Sequence, residues 1–212
     1  GKSYSEGLWS KRVASKRMTE AERDAKLARI KPTTEFADLA GCDIVVEAVF
    51  EDRAVKADVT RKAEAVIAHS AIFASNTSTL PISGLAEASA RPANFIGLHF
   101  FSPVDKMPLV EIIRGQATSD ECLARAMDFV KAIRKTPIVV NDSRGFYTSR
   151  VFSTYVGEGL ALLAEGVKPA LIDNAGRMAG MPVGPLALAD EVSLELMARI
   201  RKQTAADLGA AY

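Results

Sequence analysis

The sequence predicts an α/β layer with a largely parallel sheet, followed by an all-α segment. Three observations predict it. Short β-branched runs alternate with helical patterns as far as Val140, which is the pattern of strands joined by crossover helices. The runs are nearly continuous in apolar residues, as strands buried on both faces are. After Asp142-Ser143-Arg144-Gly145 the strand-like runs stop and only helical periodicity continues to Tyr212.

Taken in order, the chain opens with a charged, helix-favouring stretch to about Ile30, in which Thr19 and Glu22 have the spacing of a capping box. Lys31-Pro32-Thr33-Thr34 breaks it. The first strand is expected over 43–50, buried on both faces, and an amphipathic helix over 52–69, with Val55, Val59, Ala63 and Val66 on one face. Further strands are expected at 71–75, 95–101, 109–113 and 137–140, and a brief helix at 81–88. Thr118 and Glu121 again have capping-box spacing, before a helix whose inner face is Leu123, Ala126, Met127, Val130 and Ile133. The remaining segments are helical, interrupted at Val167-Lys168-Pro169 and Gly180-Met181-Pro182-Val183-Gly184-Pro185. The domain boundary is placed near 142, giving an α/β domain over 1–141 and a helical one over 142–212.

Composition narrows the function. With 48% hydrophobic and 25% charged residues and a formal net charge of +1, nothing in the overall charge favours nucleic acid or an anionic membrane. No run approaches the ~18 apolar residues of a membrane span. Cys42 and Cys122 form no metal-ligand or CxxC spacing and read as reduced cytoplasmic thiols. With only two histidines, no metal site is expected.

Polar residues at the C-terminal ends of parallel strands stand where open α/β sheets bind ligands. Three segments qualify: Glu47-Ala48-Val49-Phe50-Glu51, Ser75-Asn76-Thr77-Ser78-Thr79 and His99-Phe100-Phe101-Ser102-Pro103. Each also reads as an ordinary turn after a strand. Glu111 sits in the middle of Leu109-Val110-Glu111-Ile112-Ile113, and a carboxylate in such a strand is costly to bury without a partner. The His99 imidazole is one candidate, and the pair would form a general base with an orienting acid. The residues alone leave that pairing open. His69, in Ala68-His69-Ser70, reads as a solvated helix end.

Gly97-Leu98-His99-Phe100-Phe101-Ser102-Pro103-Val104 followed by Met107-Pro108-Leu109-Val110-Glu111-Ile112-Ile113 resembles the central motif of the 3-hydroxyacyl-CoA dehydrogenases. The segments 46–51, 74–80, 142–150 and 180–185 resemble the family in the same order, and the version here is most similar to multifunctional β-oxidation enzymes. The resemblance implies NAD as cofactor, an L-3-hydroxyacyl-CoA as substrate, and catalytic roles for His99 as base, Glu111 as its orienting acid and Ser78 as partner of the reacting hydroxyl. It implies that Ala48, Glu51, Lys56, Asn76 and Ser102 line the cofactor site. It also implies that Ser78, Lys16 and Ser149 meet the substrate, Lys16 at the CoA phosphates. A homodimer through the helical domain and a thiolase subunit are the partners it implies.

The resemblance has gaps. Ser102 and Ser149 stand where many members have Asn. No GxGxxG turn occurs; the nearest glycines, Gly157 and Gly159, lie in a helical segment. The expected fold is therefore an incomplete Rossmann-like sheet lacking its first βα unit, and the 212-residue chain is expected to be a fragment that binds NAD weakly. Two other readings compete: a non-catalytic packing or dimerisation fragment, and a CoA-independent 3-hydroxy acid dehydrogenase, whose relatives commonly use Lys as the acid/base.

Overall fold

The computed structural model describes residues 1–209. Its sheet comprises β1 (Ile44–Glu47), β2 (Ile72–Ser75), β3 (Phe95–Phe100), β4 (Leu109–Arg114) and β5 (Thr136–Asn141), in that spatial order. All neighbours pair in parallel except β3 and β4, which are antiparallel. The exception follows from chain length. Only residues 101–108 separate these strands, too few for a parallel crossover, which needs about a dozen.

α1 (Lys2–Ala14) and α2 (Glu20–Leu27) precede the sheet and pack on each other. The capping box at Thr19 forms, its hydroxyl accepting from the Glu22 amide and the Glu22 carboxylate accepting from the Thr19 amide. α3 (Arg53–Glu64) is capped by Asp52, which accepts from the Val55 amide at 2.9 Å. α4 (Ile82–Ala86) and α5 (Asp120–Ala132) follow β2 and β4. The α5 cap is not Thr118 but Ser119, whose hydroxyl accepts from the Cys122 amide at 3.1 Å. Thr118 is buried, and its hydroxyl is taken by the sheet: it donates to the Phe95 carbonyl at 2.6 Å and accepts from the Gly115 amide at 3.0 Å.

Side chains alternate between the two faces of the sheet. Ile72, Ala74, Ile96, Leu98, Val110 and Ile112 pack one face against Cys122, Ala126 and Val130 of α5. Phe73, Phe95 and Ile113 pack the other against Ala63 of α3, Ile82 and Leu85 of α4, and Phe146. His99 and Glu111 share the parity of this second face. Gly97 lets α4 come close, since a Cβ there would lie 2.8 Å from both Ile82 and Ile113. β1 is less buried than its composition predicts. It lies at the sheet edge, and of its residues only Glu47 is buried.

The helical part comprises α6 (Thr148–Ala164), α7 (Pro169–Met178), α8 (Pro185–Val192) and α9 (Leu194–Leu208). The breaks fall where the sequence places them, with Pro169 and Pro185 at first helical positions, where a missing N–H is harmless. Gly159 is a packing residue of α6, because a Cβ there would sit 2.6 Å from Pro185. Residues 210–212, which the sequence reading assigns to the last helical segment, lie outside the described residues. Among the described residues no helix is long and apolar enough to cross a membrane.

Candidate active site

His99 and Glu111 are register partners on the antiparallel strands β3 and β4. Directly opposed residues bring their side chains together on one face, and here Nδ1 of His99 lies 2.7 Å from Oε2 of Glu111. Both residues are buried, Glu111 completely. Three further donors reach the carboxylate from the start of α6. The Tyr147 and Thr148 amides donate to Oε1 at 3.1 and 2.8 Å, and the Thr148 hydroxyl donates to Oε2 at 2.8 Å. Burial raises the Glu111 carboxyl, but the hydrogen bonds from His99 and from the Thr148 amide and hydroxyl outweigh it, and the group lies below its ordinary range. An ionised carboxylate only accepts. Nδ1 of His99 therefore carries the hydrogen of that bond, and Nε2 is left outside it.

The His99 ring also touches aromatic neighbours, with Phe101 and Phe146 centroids at 4.5 and 6.0 Å. Phe146 is held at φ 49° and is buried. Positive φ is uncommon for a bulky residue and costs of the order of 1–3 kcal/mol. The turn through Gly145 and Phe146 directs the chain into α6 and puts an apolar wall behind the imidazole.

A second polar cluster lies at the ends of β1 and β2. Glu47 and Lys56 are both buried, with Nζ of Lys56 at 2.9 and 3.1 Å from the two Glu47 oxygens. Ser75, the register partner of Glu47, also donates to that carboxylate. Glu51 gathers the following turn. Its Oε1 accepts from the Thr77 hydroxyl at 2.6 Å, the Ser78 amide at 3.1 Å, and the Thr79 amide and hydroxyl at 3.0 and 3.1 Å. Its Oε2 lies 3.5 Å from Lys56. Burial raises the Glu51 carboxyl, but the Thr77 hydroxyl, the Lys56 charge and the Thr79 and Ser78 amides bring it below its ordinary range.

The structure thus brings several of the sequence-designated residues to one end of the sheet. Ser78 is exposed on the turn that Glu51 holds, and Ala48 is exposed beyond β1. The Asn76 side-chain oxygen accepts from the Phe100 amide at 2.9 Å, tying β2 to β3 and leaving its amide nitrogen uncommitted to that bond. Ser149 approaches the same turn, its hydroxyl 3.4 Å from the Ser78 carbonyl. Ser102 is exposed just past β3. Lys56 is placed differently from a surface contact residue: it is 2% exposed and faces Glu47 and Glu51. Lys16 stands exposed at φ 58° beyond α1, and among the described residues no hydrogen bond or ion pair joins it to the cluster.

Sequence reasoning missed the support for these residues. Glu47 obeys the same rule that singled out Glu111, a carboxylate in an apolar strand, and its partner Lys56 could have been sought on the next helix. Thr148 and Asp142 carried no local signal. Asp142, after β5, accepts from the Ile82 and Ser83 amides at 2.6 and 2.7 Å and so caps α4.

The arrangement suits NAD at the nicotinamide end. Ala48 leaves backbone approachable, Ser78 and Asn76 offer polar atoms, and an imidazole acceptor lies nearby. The pyrophosphate finds no GxGxxG turn in this sequence. Chemically, the site holds an imidazole oriented by an ionised carboxylate, which is what removal of a proton from an alcohol requires.

Comparison with known proteins gives a consistent picture. Residues 1–143 match the profile "3-hydroxyacyl-CoA dehydrogenase, NAD binding domain", and residues 145–212 match "3-hydroxyacyl-CoA dehydrogenase, C-terminal domain". The fatty acid oxidation complex subunit alpha of Shewanella halifaxensis is 46% identical over 206 residues, covering 97% of this chain. The chain spans 29% of that relative's length. Among solved structures, FadB2 of M. tuberculosis aligns with a TM-score of 0.90 at 32% identity, covering 98% of this chain and 74% of its own. The (S)-3-hydroxybutyryl-CoA dehydrogenase PaaH1 of Ralstonia eutropha aligns at 0.89 with 36% identity, covering 94% and 71%.

Proposed function

This chain belongs to the 3-hydroxyacyl-CoA dehydrogenase family, and from that premise we propose that it oxidises L-3-hydroxyacyl-CoA to 3-ketoacyl-CoA in fatty acid β-oxidation. The observation that carries the reading is the buried 2.7 Å contact between His99 and Glu111. His99 takes the 3-hydroxyl proton at Nε2. Glu111 keeps the ring in the Nδ1–H form and stabilises the imidazolium once it forms. Ser78 donates to or accepts from the reacting hydroxyl and so orients it toward the base. NAD, when bound, supplies the hydride acceptor. In the reverse direction the imidazolium returns the proton as the 3-keto group is reduced.

In this reading Ala48, Asn76 and Ser102 line the cofactor site directly. Glu51 and Lys56 act by shaping the turn that presents Ser78. Ser149 meets the substrate beside Ser78, and Lys16 meets the CoA phosphates. Residues 1–141 form the cofactor domain and 142–212 the helical domain, through which two copies associate. A thiolase subunit is a further partner. The free thiols of Cys42 and Cys122 support a cytoplasmic setting.

The test uses the protein that carries this chain, with 3-hydroxybutyryl-CoA and NAD and with NADH formation followed optically. His99→Ala is expected to lower kcat by about 10²–10⁴-fold while NAD affinity measured by calorimetry stays within a few-fold. Near-wild-type turnover in His99→Ala would remove the imidazole from the reaction.

A further inference from the structure

Resting on the reaction proposed above, we propose that Thr148 is a positioning residue of the His99–Glu111 pair, its hydroxyl sharing one carboxylate oxygen with the imidazole. Two of the Glu111 contacts, from the Tyr147 and Thr148 amides, are backbone N–H groups at the start of α6. Any non-proline residue at those positions could supply them. The fourth contact is different. Oγ1 of Thr148 donates at 2.8 Å to Oε2, the same oxygen that His99 Nδ1 reaches at 2.7 Å. Only a hydroxyl side chain can make it, and valine would fill the same space without it.

Two consequences follow. The first is geometric: with both oxygens held from α6, the carboxylate cannot turn about its last bond, and Oε2 stays aimed at Nδ1. The second is electronic. Two donors on one oxygen divide its negative charge, so each weakens its attraction for the other. With the hydroxyl present, Glu111 stabilises an imidazolium less than it otherwise would, and His99 gives up its acquired proton more readily.

The other titratable and charged groups on the elements packed against the pair have other partners or are exposed. On β4, Arg114 pairs with Asp120 at 2.8 Å. Across the ladder from β5, Glu111 faces the apolar Ile138. Lys135, before β5, donates to the Val104 and Met107 carbonyls, and Asp142, after it, accepts from the Ile82 and Ser83 amides. At the junction Arg144 reaches the Thr204 hydroxyl at 3.4 Å, and Tyr147 and Arg150 are exposed. At the strand ends Lys56 is tied to Glu47 and Glu51. His99 is the one ionisable side chain bonded to Glu111 among the described residues.

The experiment compares wild type with Thr148→Val, Thr148→Ala and Thr148→Ser in the protein that carries this chain. One readout is the proton resonance of the His99 Nδ1–H group, identified by its loss in His99→Ala. The other is the pH profile of kcat/KM. Thr148→Val is expected to move the His99 resonance downfield, as its bond to Oε2 tightens. It is expected to raise the acid limb by about 0.5 pH unit, a roughly threefold loss of kcat/KM on that limb. Thr148→Ala should shift both in the same direction without any question of added bulk, and Thr148→Ser should restore both. An unchanged resonance and limb in Val and Ala, or a Ser variant that behaves like Val, would overturn the proposal. The resonance needs no turnover. A protein that oxidises no hydroxyacyl-CoA would therefore refute the reaction proposed above, while the signal would still decide the role of Thr148.

Discussion

Glu111 is buried completely yet ionised, because four donors surround it. Its folded carboxyl lies below the ordinary value of 4.5. The unfolded chain therefore binds the proton more tightly than the folded one. The corresponding stability is complete above about pH 4.5 and is lost as pH falls through the depressed folded value. Glu111→Gln removes this contribution, so the urea midpoint of the variant should fall less steeply with acidification than that of wild type. Lys56 is the complementary case. Replacing it with methionine leaves the buried Glu47 without its cation, and equilibrium unfolding should show a loss of about 3–5 kcal/mol. Glu111 stood out in the sequence as a carboxylate in an apolar strand, with His99 on an equally apolar strand as one candidate partner. Glu47 falls under the same rule, but in the sequence it read as a polar strand end. Its partner is a lysine on α3, which the family resemblance marked only as a residue of the cofactor site.

Elements place these residues within narrow limits. α4 approaches the sheet over Gly97, and Gly97→Ala should cost about 1–3 kcal/mol by forcing Ile82 and Ile113 apart. Thermal unfolding of that variant, with Gly84→Ala as the control at an open position, checks it. At α5 the cap is Ser119, and Ser119→Ala should cost about 1 kcal/mol of stability by losing the bond to the Cys122 amide. Strand positions were readable from their apolar runs, and helix ends from Thr19, Asp52, Pro169 and Pro185. The sequence reading stopped at a largely parallel sheet, although the short 101–108 connection excludes a parallel neighbour for β3 at β4. The α5 cap was not, because two adjacent hydroxyl residues compete and only the buried position of Thr118 decides between them.

At the scale of the molecule, Glu111 joins the sheet to the helical part. One oxygen takes the first amides of α6, and the other takes the imidazole and the Thr148 hydroxyl. Hydrogen exchange should therefore separate two variants. Glu111→Ala is expected to expose the Tyr147 and Thr148 amides to faster exchange, whereas His99→Ala leaves them protected. This link was invisible in the sequence, since two of its donors are backbone groups and the third, the Thr148 hydroxyl, is brought in with them by the Gly145-Phe146 turn. The crowded carboxylate has one more outcome, for the design of inhibitors. With Nδ1 committed, the neutral form of the imidazole can meet an incoming molecule only through the Nε2 electron pair. A compound aimed at that form must bring an O–H or N–H to that spot. O-methylation of an otherwise identical compound should abolish its recognition by the ring.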